Sequence, residues 1–185
     1  MSLNPKTKYS GLAMTLHWLV AIAVIVTWRI AEAAELAPTR EARGEIMGNH
    51  FALGVVIFLL VATRFIWRQM NPPPAQIASH APWEKMLAKA THLAMYTLLL
   101  VMPLVGWFAM STYGSPISVW GVVEVPALPV PVNPDLAGEI FDLHAIAGTT
   151  LLVLIAVHVL AALKHTFIDK DGTLFRMLPF GSVKR

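Results

Sequence analysis

The sequence predicts an all-α integral membrane protein, a bundle of four transmembrane helices with both termini cytoplasmic. Three observations carry that reading. The 185 residues are 56% hydrophobic and only 14% charged, against about a quarter charged in an ordinary soluble domain. Four windows, 9–27, 46–63, 90–123 and 143–163, hold no Asp, Glu, Lys or Arg, and each reaches the ~18 apolar residues that cross a bilayer core of about 30 Å. Basic residues are divided unevenly between the two ends of those windows.

The first helix is placed at about 9–31. Lys6 and Lys8, an apolar run and then Ala31-Glu32-Ala33 imitate a secretory signal, but the run exceeds the usual 7 to 15 residues of such a signal, so it reads as a span. The second helix covers about 46–68. The connection after it, "RQMNPPPAQIASHAPWEK", is expected to be extended, because Pro-Pro-Pro favours polyproline geometry. The third window is longer than one span needs, so its helix is placed at about 83–111. An outer loop at about 112–137 follows, with Pro116, Pro126, Pro129, Pro131 and Pro134. That length exceeds the roughly 12 to 15 residues of an ordinary structureless loop; it either caps the outer face or is an irregular surface loop. The fourth helix covers about 138–166. No internal repeat divides the chain, which is expected to form a single domain over 1–185.

Four spans put both termini on one side. Lys6, Lys8, Arg64, Arg68, Lys85, Lys89, Lys164, Lys170, Arg176, Lys184 and Arg185 fall on that side, and Arg29, Arg40 and Arg43 on the other. The positive-inside rule then makes the terminal side cytoplasmic. Acids are reversed, with only Glu84, Asp169 and Asp171 inside. The pI near 9.4 is therefore a topology signal and not one of nucleic-acid binding. A basic inner rim would also hold anionic lipid headgroups.

The chain has no cysteine, which excludes disulfides, iron–sulfur clusters, thiolate metal sites and covalent c-type haem. Any cofactor rests on His, Met, carboxylates or shape. Helix direction gives each histidine a depth. His50 and His144 fall in the outer layer, one on each of two helices, and His17 and His158 in the inner layer. His144 and His158 are 14 residues apart, which returns to within about 40° of one helix face and separates them by about 21 Å.

Imidazole is the commonest metal ligand, and a ligand pair supplied from two helices is how bundles hold cofactors. A haem needs such a pair plus room for a flat macrocycle. Small residues one turn away suit that room: Gly54 after His50, Gly148 after His144, Ala13 and Ala21 around His17, and Ala162 after His158. A single membrane histidine, or a stripe of small residues, can equally serve helix packing alone. Two matched pairs favour function, since intramembrane ionisable groups are costly.

His92, three residues beyond Lys89, competes for the inner ligand role and is read instead as a polar helper or as a simple interfacial histidine. His165, beside Lys164 at the inner edge, suits a proton donor or a hydrogen-bond partner for a quinone or haem propionate, with a snorkelling surface residue as the alternative. His80 is expected to be a plain loop residue. Arg29 on the outer rim, and Arg64, Arg68 and Lys164 on the inner one, are candidates to compensate propionates, or else ordinary snorkelling anchors.

The stretches "YSGLAMTLHWLVA", "GNHFALGVVIFLLVATRFIWR", "THLAMYTLLLVMPLVGW", "LHAIAGTTLLVLIAVHVLAALKH" and "DKDGTLFRMLP" resemble the bacterial cytochrome b561 family over nearly the whole chain. The resemblance implies two non-covalent haem b groups with bis-His iron, the outer on His50 and His144 and the inner on His17 and His158. A stand-alone member of that family acts as a superoxide oxidase, taking electrons from superoxide outside and reducing ubiquinone. The sequence is also similar to cytochrome b subunits that link a periplasmic protein donor to membrane quinone. Both functions stand as expectations. A divalent-metal transporter using the same histidines is a remote third, weakened by the lack of Asp or Glu within the spans.

Overall fold

A computed structural model describes residues 7–75, 77 and 80–183; Lys6, Lys184 and Arg185 lie outside the described residues. Four helices dominate: α1 Gly11–Glu35, α2 Arg40–Met70, α3 Pro82–Tyr113 and α4 Pro134–Leu163. All four are long and apolar enough to cross a membrane. α2, α3 and α4 start well before their apolar windows, whereas α1 starts at Gly11, inside its own. Ser10, Thr39 and Asn133 accept from the third residue of α1, α2 and α4, and Pro82 and Pro134 stand at N1, where the missing N–H costs nothing. The charged turn Arg40–Glu45 is therefore helical, which a hydropathy window centred on apolar residues omits.

Within the spans, hydroxyls return to carbonyls one turn back: Thr63 to Leu59, Thr149 to Ala145 and Thr150 to Ile146, at 2.8 to 3.1 Å. With no water in the hydrocarbon, such internal satisfaction keeps these groups from being a penalty. Large apolar side chains such as Ile22, Leu59, Leu93, Val153 and Leu160 point outward, as lipid-facing residues do.

The inward-facing core is Val20 and Val24 of α1, Ile57 and Val61 of α2, and Leu151 of α4, with Met95, Tyr96 and Met102 of α3 packed against it. α1 packs extensively on α2, and α3 on α4; α2 meets α3 less extensively, and α1 barely approaches α4.

The outer loop is not irregular throughout. Ile117–Val119 (β1) and Val123–Val125 (β2) form an antiparallel hairpin with Ile117 opposite Val125. Three residues, Trp120, Gly121 and Val122, join the strands; Trp120 and Gly121 both have positive φ, 52° and 72°, as the two central residues of a primed turn require, and Val122 N donates to the Val119 carbonyl at 3.0 Å. Trp120 Nε1 donates to Asn49 Oδ1 of α2 at 3.0 Å, and Trp107 Nε1 to the Pro126 carbonyl at 2.9 Å. These bonds lay the loop over the outer end of the bundle, so of the two expected alternatives the cap describes it.

At the other end the start of α1 and the segment after α4 meet. Tyr9 N donates to the Arg176 carbonyl, and Trp18 Nε1 to the Met177 carbonyl at 2.8 Å. After α4 comes a π turn, Lys164–Ile168, and then a 3-10 turn, Thr173–Met177.

Candidate functional site

The bundle brings its histidines together in two layers. His50 of α2 faces His144 of α4 with ring centres 6.1 Å apart, and His17 of α1 faces His158 of α4 at 6.3 Å, both near 70° between planes. An imidazole nitrogen sits about 2 Å from a bound transition metal and about 1.2 Å from its ring centre, so two rings on opposite sides of one ion are roughly 6.3 Å apart. Both pairs match that spacing. Leu151 lies seven residues from each of the two α4 histidines, so the apolar core fills the level between the layers.

The surroundings suit ligands. His50 Nδ1 lies 3.0 Å from the Thr27 carbonyl, a bond that fixes the tautomer and leaves Nε2 free for a metal. His144 Nδ1 is buried with no hydrogen-bond partner of good geometry among the described residues. The His144 ring packs against Gly106 of α3, where an added Cβ would be in ordinary contact with it, 3.5 Å from Cε1. A Cβ at Gly54 would meet nothing within 4 Å, whereas one at Gly148 would touch the end of Met102 at 3.6 Å. Gly54 thus borders open space, and Gly148 is a packing contact with α3. The loose approach of α1 to α4 leaves the side of the bundle between His17 and His158 slack.

His92 lies 5.3 Å from His158, edge-on. Three imidazoles therefore gather in the inner layer, but only the His17–His158 spacing matches two rings across one ion. Arg64 donates Nε to Tyr96 OH at 3.0 Å and a terminal nitrogen to the Ala13 carbonyl at 3.1 Å, which aims it along the inner layer. Arg29 on the outer rim is exposed and pairs with Glu32 at 2.5 Å. It borders an apolar groove of about 630 Å³ with Ile25, Leu53, Asn49 and Trp120. Arg40 and Arg43 line a recess of about 650 Å³ with Glu35, Thr39 and Tyr113.

At the inner end His165 Nδ1 contacts Asp169 at 2.7 Å, and Lys164 bridges Glu84 and Asp169 at 2.7 and 2.8 Å. Asp169 is held below the ordinary carboxylate range by hydrogen bonding from Lys164 and then His165. Burial alone would raise Asp171, but hydrogen bonds from His80 and Thr173 outweigh it and hold the carboxyl low. His80 is no plain loop residue: it bonds Asp171 at 2.6 Å and stacks on His165 with ring centres 4.0 Å apart. Thr27, Gly106, Tyr96 and the His80–Asp171 pair escape sequence reasoning. Each acts through a partner on another element, and only the "DKDGT" run gave a local signal of a tight acidic turn.

A membrane-spanning four-helix bundle with imidazole pairs stacked at two depths defines a class of electron-transfer cytochromes. The chain belongs to the prokaryotic cytochrome b561 family, whose family model matches residues 8–180. It is 32% identical over 191 residues to cytochrome b561 homolog 2 of Escherichia coli K12, covering 95% of this chain and 93% of that protein. It is also 32% identical over 172 residues to a probable superoxide oxidase, CybB, of Yersinia pestis, covering 93% and 96%. Cytochrome b561 homolog 1 of E. coli K12 is 28% identical over 173 residues, covering 93% and 97%. The protein is thus a multi-pass membrane cytochrome of the electron-transfer type, and the family implies haem b.

Proposed function

We propose that this protein is a di-haem cytochrome b of the bacterial inner membrane that oxidises superoxide at the periplasmic face and reduces ubiquinone. The observation that carries it is the pair of imidazole spacings, 6.1 and 6.3 Å, at two depths. His50 and His144 would hold the outer haem, and His17 and His158 the inner. When bound, the haems supply one-electron redox chemistry. Bis-His ligation leaves no open iron position, which favours outer-sphere transfer over oxygenation. In the overall reaction two superoxide anions each lose one electron to give two dioxygen molecules, and one ubiquinone gains both electrons and two protons.

The chain's own residues divide the work by depth. Arg64, positioned by Tyr96 and Ala13, would offer positive charge to propionates of the inner group, and Arg29 would do so at the outer rim. Arg40 and Arg43 would attract a small anion, with Glu35, 3.9 Å from Arg43, cancelling part of that field. His92, beside His158, and His165 with Lys164 at the inner end would hold protons where quinone is reduced. The apolar layer of Val20, Ile57, Val61 and Leu151 supports electron transfer over the passage of a metal ion, which would need polar ligands along its path.

A second reading makes the chain a module that accepts electrons from a periplasmic protein donor. The ordered hairpin and the cap over the outer end offer such a donor a docking face. Stopped-flow mixing of the purified, haem-loaded protein with a superoxide pulse, with and without ubiquinone, separates the two. Haem reduction faster than dismutation, followed by reoxidation by quinone, is expected. Haems that stay oxidised would transfer the case to the docked module.

A further inference from the structure

Two imidazoles and a buried carboxylate meet at the inner end of the bundle, outside both histidine layers. His80 comes from the connection between α2 and α3, His165 from the π turn after α4, and Asp171 from the reversal that follows. Asp171 is 5% exposed. Its Oδ2 lies 2.6 Å from His80 Nε2 and 3.7 Å from His165 Nδ1, and the three candidate ligand atoms all lie within 4.8 Å of one another.

The backbone holds this arrangement firmly. Thr173 donates both its N–H and its hydroxyl to Asp171 Oδ1, at 2.8 and 2.7 Å. That oxygen is thereby satisfied, and Oδ2 is left facing the imidazoles. Lys170 takes the left-handed backbone region at φ 55° and Gly172 follows at 78°. The first is an uncommon conformation for a residue with a side chain, and together they fold Asp171 back so that its N–H donates to the His165 carbonyl at 3.2 Å. π turns of the kind that carries His165 recur at functional sites.

Electrostatics asks for a cation there. Glu84, Asp169 and Asp171 supply three negative charges, and Lys164, bonded to the first two, returns one. The three carboxylates and Lys164 together carry two negative charges. One divalent ion supplies both charges and uses both nitrogens as neutral ligands.

We infer that His80, His165 and Asp171 form a binding site for one divalent transition-metal cation of the zinc class, stapling the second connection to the turn after α4. Two imidazoles with a carboxylate are a common donor set for zinc, with water completing four-coordination. A tetrahedral ion about 2.1 Å from each ligand spaces the ligands about 3.4 Å apart and the centres of two imidazole ligands about 5.3 Å apart; the pairs at 2.6 and 3.7 Å bracket the first value, and the rings, stacked at 4.0 Å, must swing apart by more than 1 Å to admit the ion. Asp169, next to His165, stands where it could exchange Lys164 for the metal. Cation binding here does not need the redox reading, but a bound ion takes His165 as a ligand and leaves the holding of protons to His92 and Lys164.

The test is elemental analysis of haem-loaded protein that has been stripped with a chelator and dialysed against zinc. Iron and zinc are counted per chain. One zinc per chain is expected for the wild type, with at least tenfold weaker retention in His80→Ala and Asp171→Asn. Zinc should also raise the melting temperature of the wild type and not of His80→Ala, since only a ligand of the folded state stabilises it. His80→Ala retains every intramembrane histidine and changes a connection, so it remains informative if Asp171→Asn fails to fold. Equal zinc in wild type and His80→Ala, or none in the wild type, overturns the site.

Discussion

His144 shows how much one side chain decides. Its ring is lodged against Gly106, its Nδ1 is buried without a hydrogen-bond partner of good geometry among the described residues, and it faces His50 at the spacing of two ligands on one ion. His144→Ala is expected to lower haem from two to one per chain in a pyridine haemochrome assay, and His17→Ala to remove the other haem. His92→Ala should leave both, because that ring meets His158 edge-on at 5.3 Å and does not stand across from it. Loss of a haem from His92→Ala equal to that from His17→Ala would reassign the inner pair. The two layers were legible because depth follows from helix direction and residue count, and counting needs no tertiary contact. The His80–Asp171 contact was not, since 91 residues separate the partners and nothing in the Pro-rich sequence before His80 announces where that residue comes to rest.

At the scale of elements, the spans were legible because hydrocarbon thickness imposes a minimum apolar length, and polar interruptions within that length are expensive. The helix ends were not, because the caps Thr39 and Asn133 and the charged first turn of α2 lie outside the hydrophobic slab. The hairpin hid for a different reason. Its strands have three residues each, and its turn is Trp-Gly, not the Asn-Gly or Asp-Gly pair that usually signals such a turn. Five surrounding prolines suggested irregular chain instead. Gly121 sits at φ 72°, where a residue with a Cβ costs roughly 1–2 kcal/mol, and the Trp120–Asn49 bond contributes about 1 kcal/mol. Gly121→Val is therefore expected to lower the melting temperature in detergent more than Trp120→Phe, which loses only the indole donor. Both should keep full haem content, as neither touches a histidine layer. A Gly121→Val protein melting with the wild type would show that the turn adopts another geometry.

For the whole molecule the open quantity is direction, since a bundle is equally well packed whichever way it crosses the membrane. Contacts between Tyr9 and Arg176 and between Trp18 and Met177 bring both ends of the chain to one side, the side where Arg64, Arg68, Lys85, Lys89, Lys164, Lys170 and Arg176 fall. Basic residues flanking spans stay on the cytoplasmic side during insertion, and the anionic inner leaflet attracts each one by about 1 kcal/mol. This orientation puts Arg40, Arg43 and the hairpin in the periplasm, at the end of the bundle that holds His50 and His144, and puts His92 and His165 nearest cytoplasmic protons. A fluorescent protein that matures only in the cytoplasm, fused after residue 185, should therefore glow. Alkaline phosphatase at the same position should be inactive, and should become active when inserted in the tip of the hairpin. The reverse pattern would turn the protein over. Superoxide would then meet the His17–His158 end first, and the proposed direction of electron flow would fail along with the orientation.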